Sequence, residues 1–150
     1  MDLILWRHAQ AEDGLPDLGR ALTPRGAKDA ARVGAWLRER LPGGAVTVLC
    51  SPATRTRQTA EALGLDYRVV EALAPGATAR AAIAAIGWPD GGVRTVIVVG
   101  HNPWIGEVAA RLVSGTDGPW PFRKAGVWWL SSRDGGEVLV KAVTSPEMLR

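Results

Sequence analysis

The chain has 150 residues and two histidines, His8 and His101, and each stands directly after a short apolar run. Arg7 precedes His8, Asn102 follows His101, and a third polar cluster, Ser51 through Arg55, follows the run AVTVLC at residues 45 to 50. An imidazole can attack or carry a proton near neutral pH. A guanidinium is shaped to hold phosphate or carboxylate through two parallel hydrogen bonds. The second and third clusters also begin helices, whose free N–H groups favour an anion. Two arginines, two histidines and two helix starts make a phosphate site. Taken singly, each feature has an ordinary alternative: Arg55 on a solvated helix face, His101 in a turn, Arg7 reaching to solvent. What favours chemistry is that both histidines fall at equivalent places.

Positioning these residues is the work of alternating strands and helices. Residues 3 to 6 read as a buried strand, because the run is all apolar and too short for a helix. The segment LTPRGAKDAARVGAWLRERL carries Leu22, Ala27, Ala30, Ala31, Val33, Gly34, Trp36, Leu37 and Leu41 at helical spacing, with Thr23 as N-cap and Pro24 in the first turn. AVTVLC reads as a strand, and SPATRTRQTAEALG as a helix capped by Ser51-Pro52 and closed by Gly64. YRVV is a short strand, ARAAIAAIG a helix, and RTVIVVG a buried strand. HNPWIGEVAARLVSG is a helix with Asn102 as cap and Pro103 as first residue. GVWWLSSRDGGEVLVKAV holds two β-rich runs around Asp134-Gly135-Gly136, a hairpin signal. The alternation predicts an α/β three-layer sandwich, with a mostly parallel central sheet, helices on both faces and a C-terminal β-hairpin. Ligands of such sheets bind outside the carboxyl ends of the strands, where all three polar clusters lie. The loops EDGLPDLGR and SGTDGPWPFRK are placed to border the site.

Length and a hydrophobic fraction of 47% are enough for one core, so residues 1–150 are expected to form a single domain. The first apolar run is too short for a signal peptide or a membrane span. One cysteine, Cys50, cannot form an internal disulfide, which fits a reducing cytoplasm. A formal charge of +3 and scattered tryptophans give little support to nucleic-acid binding. Two histidines and one distant cysteine do not make a metal site, so no metal is expected. Neither a phosphate-binding Walker sequence nor a glycine-rich dinucleotide turn is present, and no cofactor is expected.

LWRHAQAE resembles the Arg-His-Gly signature of the histidine phosphatase superfamily, with Ala9 where the family has glycine. SPATRTRQTAE is similar to its Ser-Pro-x-x-Arg-x-x-Gln-Thr segment, and VVGHNPWI to its Gly-His element; together they span residues 3 to about 110. The compact length, with GRALTPRG and EALAPG, resembles the SixA-type phosphohistidine phosphatases, a branch of the phosphoglycerate mutase-like fold. The resemblance implies that His8 is the nucleophile of a covalent phosphohistidine intermediate, with Arg7, Arg55 and His101 around the phosphoryl group. By the same resemblance Arg20 joins the phosphate shell, and Asn102 is placed beside it. Arg57, two residues from Arg55, lies on another part of the helix.

Relatives that act on phosphate esters use a carboxylic acid to protonate the leaving oxygen. Glu12, Asp13 and Glu71 are the candidates, and nothing in the sequence ranks them. An imidazole leaving group, with a reference pKa of about 6.5, needs no such donor. The expected substrate is therefore a phosphohistidine-bearing protein and the product inorganic phosphate. The alternatives are a small-molecule phosphomonoester phosphatase or mutase, or a catalytically dead phospho-binding module, which the Ala9 departure keeps open. A cysteine phosphatase is disfavoured because the spacing from Cys50 to Arg55 is one residue short and Pro52 removes a backbone donor. Trp104, beside His101, is the tryptophan expected to line the site.

Overall fold

The computed structural model describes every residue except Asp90, Gly91, Val93, Pro119 and Asp134. Six strands form one sheet: β1 (Asp2–Arg7), β2 (Val46–Cys50), β3 (Arg68–Val69), β4 (Thr95–Gly100), β5 (Val127–Ser132) and β6 (Val138–Thr144), in the order β3-β2-β4-β1-β5-β6. β1, β2, β3 and β4 run parallel, while β5 and β6 add an antiparallel pair beside β1. This is the expected three-layer α/β arrangement. Of the expected hairpin turn Asp134-Gly135-Gly136, Asp134 lies outside the described residues.

Alternation along β1 divides the core in two. Leu3 and Leu5 face helices α3 (Ala79–Ile86) and α4 (Trp104–Ser114), packing on Ala82, Ile105 and Val108. Ile4 and Trp6 face α1 (Pro24–Arg40) and α2 (Thr54–Glu61), packing on Val33, Leu37 and Ala60. Trp128 and Trp129 continue the division, one on each side of the sheet.

α1 begins as its sequence predicts, with Thr23 accepting from the Gly26 N–H and Pro24 in the first turn. Its buried face differs from the expected one: Ala27 and Ala31 are exposed and Gly26 is buried. A Cβ on Gly26 would run into the Gln10 carbonyl, so this helix packs on the backbone just after His8. Two other expected starts need correction. α2 begins at Thr54 with no side-chain cap and ends at Glu61, with Gly64 in the turn that follows. α4 begins at Trp104, and Asn102 does not cap it. The oxygen of Ser51 and the amide of Asn102 are occupied elsewhere, and that use is what builds the site.

Candidate active site

At the carboxyl end of β1, the backbone pins Arg7 and His8 on both sides. The Arg7 N–H donates to the Gly126 carbonyl, the His8 N–H to Gly100, and the Ala125 N–H to the His8 carbonyl. Ala125 adopts a left-handed φ of 57°, a conformation costing about 1–2 kcal/mol for a residue with a Cβ. Its carbonyl also accepts from the Trp6 indole at 3.1 Å, so the strained residue is held by hydrogen bonds at both ends.

The His8 ring is oriented by the next residue. Nδ1 lies 2.8 Å from the Ala9 carbonyl, which can only accept, so Nδ1 carries the proton and Nε2 the lone pair. Burial, against the opposing Ala9 bond and helped by the nearby Arg55, Arg7 and Arg20 charges, lowers the ring's pKa to about 4. The ring is therefore neutral at physiological pH. Ala9 is fully buried, and its N–H donates to Thr59 Oγ1. It avoids the left-handed backbone region, so the departure from glycine is accommodated without strain.

His101 faces His8 with ring centroids 5.2 Å apart. Its Nε2 is 2.7 Å from Ser51 Oγ, which also accepts from the Ala53 N–H. We assign the hydroxyl proton to Nε2 and the ring proton to Nδ1, a buried atom without a partner among the described residues. Burial first, then the neighbouring His8, lowers the His101 pKa to about 3. Gly100, just before it, has no room for a Cβ because the Trp104 ring lies there. Trp104 is fully buried beneath His101, so it supports the site from the core and does not line it.

The helix segment after β2 ties the site together through four side chains. Ser51 holds His101, Arg55 reaches the 10–20 loop, Gln58 accepts from the Leu22 N–H, and Thr59 bonds Ala9. Arg55 is buried, and its two terminal nitrogens meet Asp17, one at the carbonyl (2.9 Å) and one at the carboxylate (3.2 Å). Arg20 donates to the same carboxylate at 3.1 Å and to the Glu12 carbonyl at 2.7 Å. Arg7 Nη1 donates to the Phe122 carbonyl at 2.8 Å. Phe122 is in turn clamped by Asn102, whose amide donates to its carbonyl and accepts from its N–H. The oxygen and the nitrogen of the Asn102 carboxamide thus both bond the backbone of Phe122. The Nε atoms of Arg7 and Arg55 are buried without partners among the described residues. A bound oxyanion would give these donors and His101 Nδ1 an acceptor.

Of the residues named from sequence, Arg7, His8, Arg55 and His101 converge, and Arg20 joins them through Asp17. Glu12, Asp13 and Glu71 have exposed side chains, and Glu12 takes part through its carbonyl only. Arg57 is exposed and faces Tyr67. Asp17 and the backbone of Phe122 escaped sequence reasoning, since neither has a local pattern. The thiol of Cys50 is fully buried, and burial pushes its pKa up to about 12, so it is an inert core residue. A cavity of about 570 Å3 runs along the outer edge of β2 past Thr47, Tyr67 and Trp88, and none of its lining residues belongs to the cluster.

A model of the histidine phosphatase superfamily (branch 1) matches residues 3–74. An uncharacterized protein of Mycobacterium tuberculosis is 43% identical over 117 residues, 74% of this chain and 73% of that protein. A phosphohistidine phosphatase SixA homolog of Haemophilus influenzae is 30% identical over 126 residues, 75% of this chain and 77% of the relative. The protein histidine phosphatase SixA, solved in complex with tungstate, is 26% identical and superposes over the full length of both chains with a TM-score of 0.87.

Proposed function

Since the chain belongs to the histidine phosphatase superfamily and is on that ground a phosphatase, we propose that it removes the phosphoryl group from phosphohistidine on a protein, with His8 as nucleophile. One observation carries this reading. The Nδ1–H bond to Ala9 leaves His8 a neutral Nε2 lone pair amid three guanidinium groups.

In the first step the Nε2 lone pair attacks phosphorus and the bond from phosphorus to the substrate imidazole breaks. That imidazole, protonated beforehand from solvent on its other ring nitrogen, which a reference pKa of about 6.5 allows near neutral pH, leaves as neutral imidazole with the electron pair of the broken bond. In the second step water attacks the phosphoryl group on His8 and loses its proton to solvent. Inorganic phosphate departs, and Nε2 recovers its lone pair. Splitting one displacement into two easier ones is the gain of the covalent route. Arg7, Arg55 and His101 stabilise charge on the equatorial oxygens, with Arg20 in an outer position. Ser51 is the positioning residue for His101.

The choice of phosphoramidate over ester rests on proton supply. Asp17 is the carboxylate hydrogen-bonded into the cluster, and its bonds to Arg20 and then Arg55 hold it below the usual carboxylate range. That is the wrong direction for a general acid. An alkoxide leaving group would need such a donor and an imidazole would not. The reading takes the 150 residues as one domain and places its work in the cytoplasm, on a protein partner and not on nucleic acid or membrane. Among the described residues no helix is long and apolar enough to cross a membrane.

The test is phosphate release from a phosphohistidine protein, a phosphoserine peptide and a small phosphate ester, by wild type and His8→Ala. Turnover of the first alone, lost in the variant, is the expected result. Equal or better turnover of the esters would overturn the substrate assignment in favour of a small-molecule phosphatase or mutase. Binding of phosphate without any turnover would make the protein a phospho-binding module.

A further inference from the structure

Asp17 has no part in the steps above, yet it holds the most connected carboxylate in the site. It stands in a short 3-10 turn, Asp17–Gly19, at the rim, with its side chain 51% exposed while that of its partner Arg55 is 6% exposed. One carboxylate oxygen meets Arg20 and the other Arg55, and the Asp17 carbonyl takes the remaining terminal nitrogen of Arg55. Bonded to two arginines, the carboxylate cannot swing aside without breaking both ion pairs.

We propose that Asp17 is a specificity-determining residue: its carboxylate, clamped between Arg20 and Arg55, sets a fixed negative charge at the rim that rejects phosphates carrying a carboxylate beside the phosphoryl group. The inference rests on the phosphate site proposed above. Arg7, Arg20 and Arg55 bring three positive charges to the cluster and Asp17 removes one. The remaining two match a phosphoryl dianion. A phosphorylated carboxylic acid brings a third negative charge and meets Asp17, which already occupies both terminal nitrogens of Arg55 and one of Arg20. Phosphohistidine within a protein carries no carboxylate next to its phosphate and escapes the penalty. The arrangement therefore selects against small phosphates that carry a carboxylate while leaving a phosphorylated imidazole acceptable.

The probes are ethyl phosphate and phosphoglycolate, which share a two-carbon frame and differ by the carboxylate. Their dissociation constants are measured by calorimetry at low ionic strength on wild type, Asp17→Asn, Asp17→Ser and Asp17→Glu. Asn and Ser remove the charge and keep the backbone carbonyl bond to Arg55, whereas Glu keeps the charge. The ratio of phosphoglycolate to ethyl phosphate affinity is expected to rise about tenfold in Asp17→Asn and Asp17→Ser, and to stay near the wild-type value in Asp17→Glu. A residue that merely held Arg55 in place would weaken both ligands in proportion, so an unchanged ratio overturns the proposal whatever happens to the absolute affinities. Wild type that binds neither probe overturns the phosphate site itself and the role of Asp17 with it; wild type that binds both, with an invariant ratio, overturns the role of Asp17 alone.

Discussion

Acidifying the ligand-free protein from about pH 7.5 to about pH 5 is expected to remove about 4 kcal/mol of stability, nearly all of it at the active site. The chain has two histidines, and both lie in the cluster. In the fold His8 is held to about 4 and His101 to about 3, each mainly by burial, against about 6.5 in an unfolded chain. A lowered folded pKa means that the unfolded chain takes up protons first. The stabilisation is therefore complete above about pH 6.5 and drains away as the pH falls towards the folded values. At about pH 5 an unfolded histidine is almost fully protonated while the folded ones remain mostly neutral, a difference of about 2 kcal/mol per ring. Two rings give about 4 kcal/mol, a large share of the 5–15 kcal/mol that typically holds a domain together. The depressed carboxylates Asp17 and Glu147 act in the same direction but only as the pH falls through and below the ordinary carboxylate range. Urea titrations at the two pH values provide the assay, and with a slope of about 2 kcal/mol/M the midpoint should drop by about 2 M. His8→Gln and His101→Gln should each recover about half of the drop, and the double variant should show none. An unchanged wild-type midpoint, or an undiminished drop in the double variant, would refute the reasoning.

The same neutral His8 should keep the acid limb of the kcat/KM profile well below the ordinary imidazole value, near pH 4 to 5, and a limb near 6.5 would contradict the burial argument. Gly26→Ala drives a Cβ into the Gln10 carbonyl; we expect a loss of about 1–3 kcal/mol in urea unfolding, with impaired turnover because the displaced strand end carries His8. Asn102→Ala breaks both bonds to Phe122; kcat should fall at least about tenfold with circular dichroism unchanged, since the Phe122 carbonyl no longer holds Arg7 firmly. The Cys50 thiol, fully buried and with its pKa raised to about 12, should resist alkylation until the protein unfolds, and Cys50→Ala should retain activity.

The layered sheet was legible because buried runs such as Leu3–Trp6 and Thr95–Gly100 are nearly pure in apolar residues and the helices between them keep a clear period. Convergence of Arg7, His8, Arg55 and His101 was legible for a related reason: each follows a strand, and parallel strands end on one side. The errors share a cause as well. Ser51-Pro52 and Asn102-Pro103 look like helix caps because the local chemistry of a polar residue before proline is the same whether the side chain turns inward to the helix or across to another segment. Their partners, His101 and Phe122, lie 50 and 20 residues away, beyond any local rule. Trp104 misled for the opposite reason, since adjacency to His101 in sequence says nothing about which side of the strand end a ring occupies. Asp17 sits in an irregular loop, and its meaning comes from Arg55, 38 residues on.

The place of β1 in the middle of the sheet has a consequence for how the protein is made. β1 emerges from the ribosome well before its two neighbours, which begin at Thr95 and Val127. At 5–20 residues per second, roughly 5–20 s pass before the first of them appears. For that interval Leu3 to Trp6 is an unpaired apolar strand, the kind of segment that nascent-chain chaperones cover. The loop that clamps Arg7 through Phe122 comes later still. Until Phe122 has been synthesised the Arg7-His8 pair lacks this clamp, and a polypeptide ending before that residue carries the pair without the carbonyl that holds Arg7.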